Sequence, residues 1–380
     1  MRKILKIVLL ASLTSSGLCL KLHAQIPPNI DYNWQLNTNL SDEFNSTTLD
    51  NSKWCKLDNS GQPPCGGYNW GGNTNFQTNN VSLGTDGTKN VLMLRVDPPS
   101  INTSSPFVPL YPADTIHYTI SQCCHTGGIQ MIQGTNWSYG YIEISAKLPG
   151  FSVNGIGQAN KFWPTFWSYN LYNCGNAHAG RDEIDAMDVC CSFYSDTKTT
   201  TAGWCHIDPA TCTETDSPPA THVNDTPLCD NYHKIGAEWN TDRLIFYMDD
   251  IPWIYTNIQN LTLTPQRVLI EEQLDMNTNK DFSPGTIFPQ YMRVDYFHYY
   301  KLRLDCSNPL TILNNLQLAT YWTSGIPAVK SDITIGNGVS PISLNSGVCY
   351  VFRAVNSITI NGDFSAPIGS ELNIIPTPCN

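Results

Sequence analysis

The stretch Arg181-Asp-Glu-Ile-Asp-Ala-Met-Asp-Val189 crowds carboxylates into one short segment among residues that favour extended backbone. In a strand, alternate side chains share a face, so Glu183 and Asp185 point the same way and Asp188 falls out of phase. A one-residue β-bulge around Ala186–Met187 brings Asp188 back to their face. The product is a row of three acids in one cleft. Like charges that close raise one pKa, which suits an ionised nucleophile beside a protonated donor. A solvated strand face or a structural cation site would also hold three acids, so the rest of the chain has to decide.

The elements that would position these acids read as strands. Trp163-Pro-Thr-Phe-Trp167 lies just upstream, and a strand from Lys161 to Tyr169 sets Trp163 and Trp167 on one face. Val91–Val96, Gly127–Ile132 and the cleanly alternating Tyr139–Leu148 precede it. Tyr232–Trp239 and Arg243–Met248 flank a hairpin signal at Asn240-Thr-Asp242, and Asp249-Asp250 makes a second turn. Val268–Leu274 and Tyr291–Tyr300 complete the series. Residues 195–231 read as a Thr-, Pro- and Cys-rich insertion without periodicity. No amphipathic helix of useful length is expected, and strands at this spacing imply a two-sheet β-sandwich.

Composition agrees. The 380 residues are 41% hydrophobic and only 14% charged, with a net charge of −11. That balance suits an all-β extracellular protein and argues against a nucleic-acid or anionic-membrane partner. Met1-Arg2-Lys3, an apolar run and Leu22-His-Ala24 have the form of a signal peptide over residues 1–24, so the chain is expected to be secreted or displayed at the cell surface. No other stretch is long and apolar enough to span a membrane. Removing Cys19 with this leader leaves an odd number of the 14 cysteines. In an exported chain disulfides are the default, with at least one thiol over. The loop 55–80 carries Cys55, Cys65 and the aromatic Tyr68, Trp70 and Phe76. Beyond residue 303 aromatics thin out, and Asp332-Ile-Thr-Ile-Gly-Asn337 is echoed by Ser357-Ile-Thr-Ile-Asn-Gly362. Residues 304–380 therefore read as a small module of stacked β rungs, separate from the domain over 25–303.

Six segments, in order, resemble glycoside hydrolase family 16. Ser41-Asp-Glu-Phe44 to Trp54 resembles its entry segment. Tyr139-Gly-Tyr-Ile-Glu-Ile-Ser-Ala-Lys-Leu-Pro149 is similar to "YGyfEaRiKlP", and Phe162-Trp-Pro-Thr-Phe-Trp167 to "lWPAfW". Glu183-Ile-Asp-Ala-Met-Asp188 sits at "EIDxxE", His233–Trp239 at "HtYgiEW" and Met292–Tyr296 at "mrVDYvrVy". The resemblance implies a jelly-roll (concanavalin A-like) β-sandwich that hydrolyses a β-linked polysaccharide in endo fashion, with no cofactor for catalysis. Glu183 would be the nucleophile of a retaining double displacement, Asp185 its electrostatic partner, and Asp188 would stand where the family has its acid/base Glu. The bulged, six-residue form is closer to the laminarinase, agarase and carrageenase branches than to the unbulged lichenases. Trp163 and Trp167 would line the sugar subsites, with Arg181 and His233 as further candidates for substrate binding. Glu43 and Asp295 are candidates for a structural calcium site.

Two readings stay open. One is a monomeric, secreted endo-β-glycanase acting on a β-1,3-glucan or a galactan; the sparse basic residues near the acids, Lys161 and Arg181, favour a neutral glucan. The other is a catalytically weak glycan-binding protein on the same sandwich, because Asp188 is one methylene shorter than Glu. Retaining chemistry wants its carboxyls about 5–5.5 Å apart.

Overall fold

The computed structural model describes residues 34–58, 75–97, 125–132, 134–153, 156–158, 162–174, 178–188, 198–208, 210–211, 213–217, 220–239, 243–258, 263–274, 288–302, 304–323, 329–346, 349–376 and 379. Residues 1–24, expected to be a signal peptide, lie outside the described residues, as do Lys161, Cys65, Tyr68 and Trp70. Cys55 is disulfide-bonded. Among the described residues no helix is long and apolar enough to cross a membrane. The chain divides into a large unit, Trp34–Leu302, and a small one within Arg303–Asn380.

The large unit is built on two eight-stranded antiparallel sheets. One runs Ile251–Asn257, Arg243–Met248, His233–Trp239, Gly140–Lys147, Gln290–Leu302, Lys89–Val96 and Val81–Asp86, with Trp34–Leu36 paired to the end of Gln290–Leu302. The other runs Glu214–Asp216, Thr199–Ile207, His178–Asp188, Phe162–Cys174, Arg267–Leu274, Gly128–Met131 and Trp54–Lys56, with Ala220–Val223 also paired to Thr199–Ile207. A single apolar core joins the inner faces: Ile142, Ile144, Trp239 and Val294 from the first meet Phe166, Ile184, Met187 and Ile270 from the second. Phe166 and Phe297 meet edge-on across this core at 6.2 Å. This is the β-sandwich that period-two patterning implies.

Local chemistry explains the joints. Trp54 is fully buried and its indole N–H donates to Asp42 Oδ2 at 3.1 Å, while the Asp42 backbone bridges to Phe297, so the entry segment is sewn to the core. Gly140 has φ +101°, and a Cβ there would collide with the Tyr300 carbonyl oxygen, so only glycine opens that strand. Asp249 and Asp250 both have positive φ, the conformation of a tight type I′ hairpin turn. The insertion expected to lack periodicity contains instead a nine-residue strand, Thr199–Ile207, which pairs directly with the acid strand. Its β-branched opening, Thr199-Thr-Thr, fits a pleated surface.

The small unit is a stack of parallel strands. Asp332, Ile333, Thr334 and Ile335 lie directly beside Ser357, Ile358, Thr359 and Ile360, so the 25-residue echo is a rung laid on a rung. Leu310–Ile312 and Glu371–Pro376 extend the stack on either side. Leu310, Ile312, Ile333, Ile335, Tyr350 and Phe352 fill its interior. Against expectation it holds one helix, Asn315–Thr323. Asn314 Oδ1 accepts the Gln317 N–H at 3.0 Å, and Gln317 reaches back to the Leu313 N–H at 2.6 Å. This reciprocal cap supplies a start signal that periodicity does not.

Cys306 and Cys379 form a disulfide across a separation of 73 residues. A core this small gains much from such a constraint, about 4 kcal/mol by loop entropy. The double variant Cys306→Ser/Cys379→Ser is expected to lower the denaturant midpoint of the small unit while leaving that of the sandwich in place. Two-probe urea denaturation, following tryptophan fluorescence and far-UV circular dichroism, would show both midpoints unshifted if the bridge contributes nothing.

Candidate active site

The acid strand His178–Asp188 lies between Phe162–Cys174 and Thr199–Ile207. Glu183 pairs with Tyr169 and Asp185 with Trp167, then the register slips and Asp188 pairs with Thr165. On the other side Asp185 pairs with Gly203 and Asp188 with Thr201, again with one extra residue on the acid strand. The bulge sits at Ala186–Met187. Ile184, Ala186 and Met187 are buried in the core, whereas Glu183, Asp185 and Asp188 keep partial exposure on the opposite face. Without the extra residue, Asp188 would enter the apolar core unpaired, which is strongly unfavourable.

The register also gives the rest of this face. Across the strands run three rows: Arg267, Tyr169, Glu183 and Cys205; then Leu269, Trp167, Asp185 and Gly203; then Glu271, Thr165, Asp188 and Thr201. Trp163 and Gln273 stand one step further along. Each tryptophan is tied to a carboxyl. The Trp163 indole N–H donates to Asp188 Oδ1. The Trp167 indole N–H donates to Glu271 Oε1 at 2.9 Å.

These environments separate the acids. Burial pushes the Asp188 carboxyl above the ordinary aspartate range, and the Trp163 hydrogen bond draws it partly back. Glu271 is only 1% exposed. Its burial raises the carboxyl to about 8; hydrogen bonds from Trp167 and Gln273 oppose this, and the negative charge of Glu183 adds to it. Behind it, on the core side, burial holds Glu272 well above the glutamate range, and Glu272 Oε1 accepts the Trp163 backbone N–H at 3.1 Å. At neutral pH Glu271 is therefore largely a neutral acid. Below the acid strand, buried Asp182 binds His206 Nδ1 and accepts from both the backbone N–H and the hydroxyl of Thr264, which fixes the strand next to Glu183.

The remaining candidates distribute unevenly. Trp163 is half-buried on the cleft face, as expected. Trp167 is 6% exposed and stacks on Tyr169 with centroids 5.3 Å apart, so it packs the floor and is not presented to a ligand. His233 belongs to the other sheet, where its Nδ1 binds Asp249 Oδ2 at 2.7 Å and braces the hairpin turn; it does not join the acids. Arg181 lies on the acid strand opposite Leu171, but its side chain is outside the described residues. The two residues expected as calcium ligands each have a protein partner. Glu43 is engaged by His298 Nε2 at 2.6 Å, and Asp295 by the Lys89 ammonium. Among the described residues no cluster of three His, Cys, Asp or Glu side chains could hold a metal. Glu271, Arg267 and Tyr169 are among the cleft-face residues that the sequence analysis did not single out. Two adjacent glutamates in the otherwise apolar Val268–Leu274 were the available signal, since one of them must face away from the core.

No protein-family model and no curated protein matches the chain. Solved structures do match. The laminarinase catalytic domain of Thermotoga maritima superposes with a TM-score of 0.51 at 18% identity, over 71% of this chain and 98% of that one. The family 16 endo-glucanase of Bacteroides ovatus gives 0.50 at 19% identity, over 69% and 98%. The κ-carrageenase of Zobellia galactanivorans gives 0.50 at 17% identity, over 72% and 98%. The chain thus has the jelly-roll fold of the laminarinase- and carrageenase-like structures that its motifs resemble.

Glu271 generates a pH prediction. Its carboxyl is raised on folding, so the folded state holds the proton more tightly than the unfolded one. Stability is then highest below the ordinary glutamate pKa of ~4.3 and declines as pH climbs to about 8, levelling above it. Glu271→Gln keeps an acceptor for Trp167 and removes the proton, so its stability should fall less over that window. Glu272 contributes its own decline, so the profile flattens without becoming level. Urea denaturation at a series of pH values checks this, and parallel curves for the two proteins would refute it.

Proposed function

We propose that the unit Trp34–Leu302 is an endo-acting, retaining β-glycan hydrolase. The observation that carries this reading is the bulged register, which puts Glu183, Asp185 and Asp188 on one partly exposed face while Ile184 and Met187 anchor the strand inside. The fold shared with laminarinase and κ-carrageenase structures supports it.

Each acid has a role that fits its surroundings. Glu183 would attack the anomeric carbon and form a covalent glycosyl–enzyme. Asp188, whose carboxyl is pushed upward by burial, would give its proton to the departing glycosidic oxygen. Once ionised, Asp188 would take a proton from water as that water attacks the same carbon, releasing the sugar with retained configuration. Asp185 stands between them in register, where it would couple electrostatically to Glu183. Trp163 presents an aromatic surface beside Asp188, where the apolar face of a pyranose would stack.

The face also bears on substrate. Its described residues include the carboxyls of Glu183, Asp185, Asp188 and Glu271, and the cation among them is Arg267. The Arg267 guanidinium donates to Tyr169 Oη at 3.2 Å and lies over that ring at 5.2 Å. Such a surface repels sulfate esters, so a neutral β-glucan is favoured over a sulfated galactan. The second reading, a glycan-binding protein with weak turnover, draws on the short side chain of Asp188.

Incubation with laminarin, lichenan, agarose, porphyran and κ-carrageenan, with release of reducing ends assayed, separates the two. The expected result is turnover of a neutral glucan that falls on the order of 1,000-fold in Glu183→Gln. Binding of the same glycans without turnover in the unmodified protein would move the reading to a binder.

A further inference from the structure

The motif quoted as "lWPAfW" has Ala where this chain has Thr165, and "EIDxxE" closes on Glu where this chain has Asp188. The register sets these two departures directly opposite each other, Thr165 against Asp188. Opposed residues on neighbouring strands hold their Cβ atoms about 4.5–5.5 Å apart, so a change in one is felt by the other. One position has lost a methylene and the other has gained a methyl and a hydroxyl.

Thr165 is 4% exposed, and its Oγ1 is buried without a hydrogen-bond partner. Buried hydroxyls are nearly always satisfied, so an unspent one on this face points to a group that it serves. Its neighbours in the row are Asp188 on one side and Glu271 on the other. Glu271 Oε1 is already occupied by the Trp167 indole, and its carboxyl is neutral. Asp188 Oδ1 is held by the Trp163 indole, and Asp188 is the acid that stands directly across the register from the unpartnered Thr165 hydroxyl. Thr201 donates to the Asp188 backbone carbonyl from the strand beyond. Among the described side chains, Glu183 and Asp185 are the other ionisable groups of the acid strand on this face, and Arg267 lies at the far end of the Glu271 strand.

We infer that Thr165 is a positioning residue for Asp188, filling the room that a shorter acid leaves and aiming its carboxyl, so that Thr165 and Asp188 function as a matched pair. The inference rests on Asp188 as the acid/base of the proposed hydrolase. It carries a consequence opposite to simple restoration of the family pattern. Lengthening the acid alone drives a methylene into Thr165, and trimming Thr165 alone leaves Asp188 adrift.

The test is a double-mutant cycle in the full chain, with Thr165→Ala, Asp188→Glu and both together. Displacement of a reacting group by ~1 Å can cost on the order of 100-fold, so each single variant should lose kcat on that scale with little change in KM. The double variant should return to within a few-fold of the unmodified protein. Thr165→Val keeps the shape and removes the hydroxyl. If the hydroxyl donates to ionised Asp188, its loss moves the basic limb of the pH–rate profile to higher pH while KM holds. Independent, additive losses in the cycle would overturn the pairing. Melting temperatures of the same four proteins read the coupling without turnover. Non-additive melting with no hydrolysis anywhere would uphold the pair and sink the hydrolase reading; additive melting and additive rates would sink the pair alone.

Discussion

Every side chain of the acid strand must go either to the core or to the cleft, because a strand repeats every two residues. Ile184 and Met187 need the core, and Glu183, Asp185 and Asp188 need the cleft. No unbroken alternation satisfies both demands. One unpaired residue at Ala186–Met187 resolves the conflict, and both flanking strands register the slip. The remainder of the sheet follows from it. Trp163 can meet Asp188, and Thr165 can face it, only when the phase changes at that point.

The second requirement is electrostatic. Several carboxyls on one face would repel one another and loosen the sheet if all were ionised. The structure avoids this by unequal burial. Glu271 lies under Trp167 as a neutral acid, and burial also raises Asp188, while Glu183 and Asp185 remain nearer solvent. The same gradient suits the proposed hydrolase, which would need a proton donor held at a raised pKa beside a more solvated nucleophile.

Much of this was legible from residue order. The three acids, the need for a bulge, the strand carrying Trp163 and the rung repeat near Ile333 and Ile358 were visible because each is a local pattern with a short period. What escaped depends on information that period does not carry. Thr199–Ile207 was hidden among cysteines, threonines and prolines whose composition resembles a loop, although it is half of the acid strand's support. The helix at Asn315 is announced by its cap, not by an amphipathic stripe. Trp167 shares a face with Trp163, but alternation cannot tell a ring that floors a cleft from one presented to it. Glu43 and Asp295 looked like oxygen ligands, and the partners that claim them, His298 and Lys89, are far away in sequence. His233 sits in a recognisable motif, yet it serves a turn in the opposite sheet.

The small unit has a different logic. Its strands are parallel and in register, so each rung repeats the burial made by the one before, and a stack of this kind can in principle grow or shrink by whole rungs without redesign. The disulfide removes that freedom. Cys306 follows the strand at one edge of the parallel row and Cys379 follows the strand at the other, with Cα atoms 6.1 Å apart. An added rung would move those edges apart by about 4.8 Å, outside the span a disulfide can bridge unless the returning chain lengthened as well. The bridge therefore works as a gauge of length. Inheritance can vary the faces of the rungs freely, but their number can change only if the two cysteines or the segment between the last rung and Cys379 change with it.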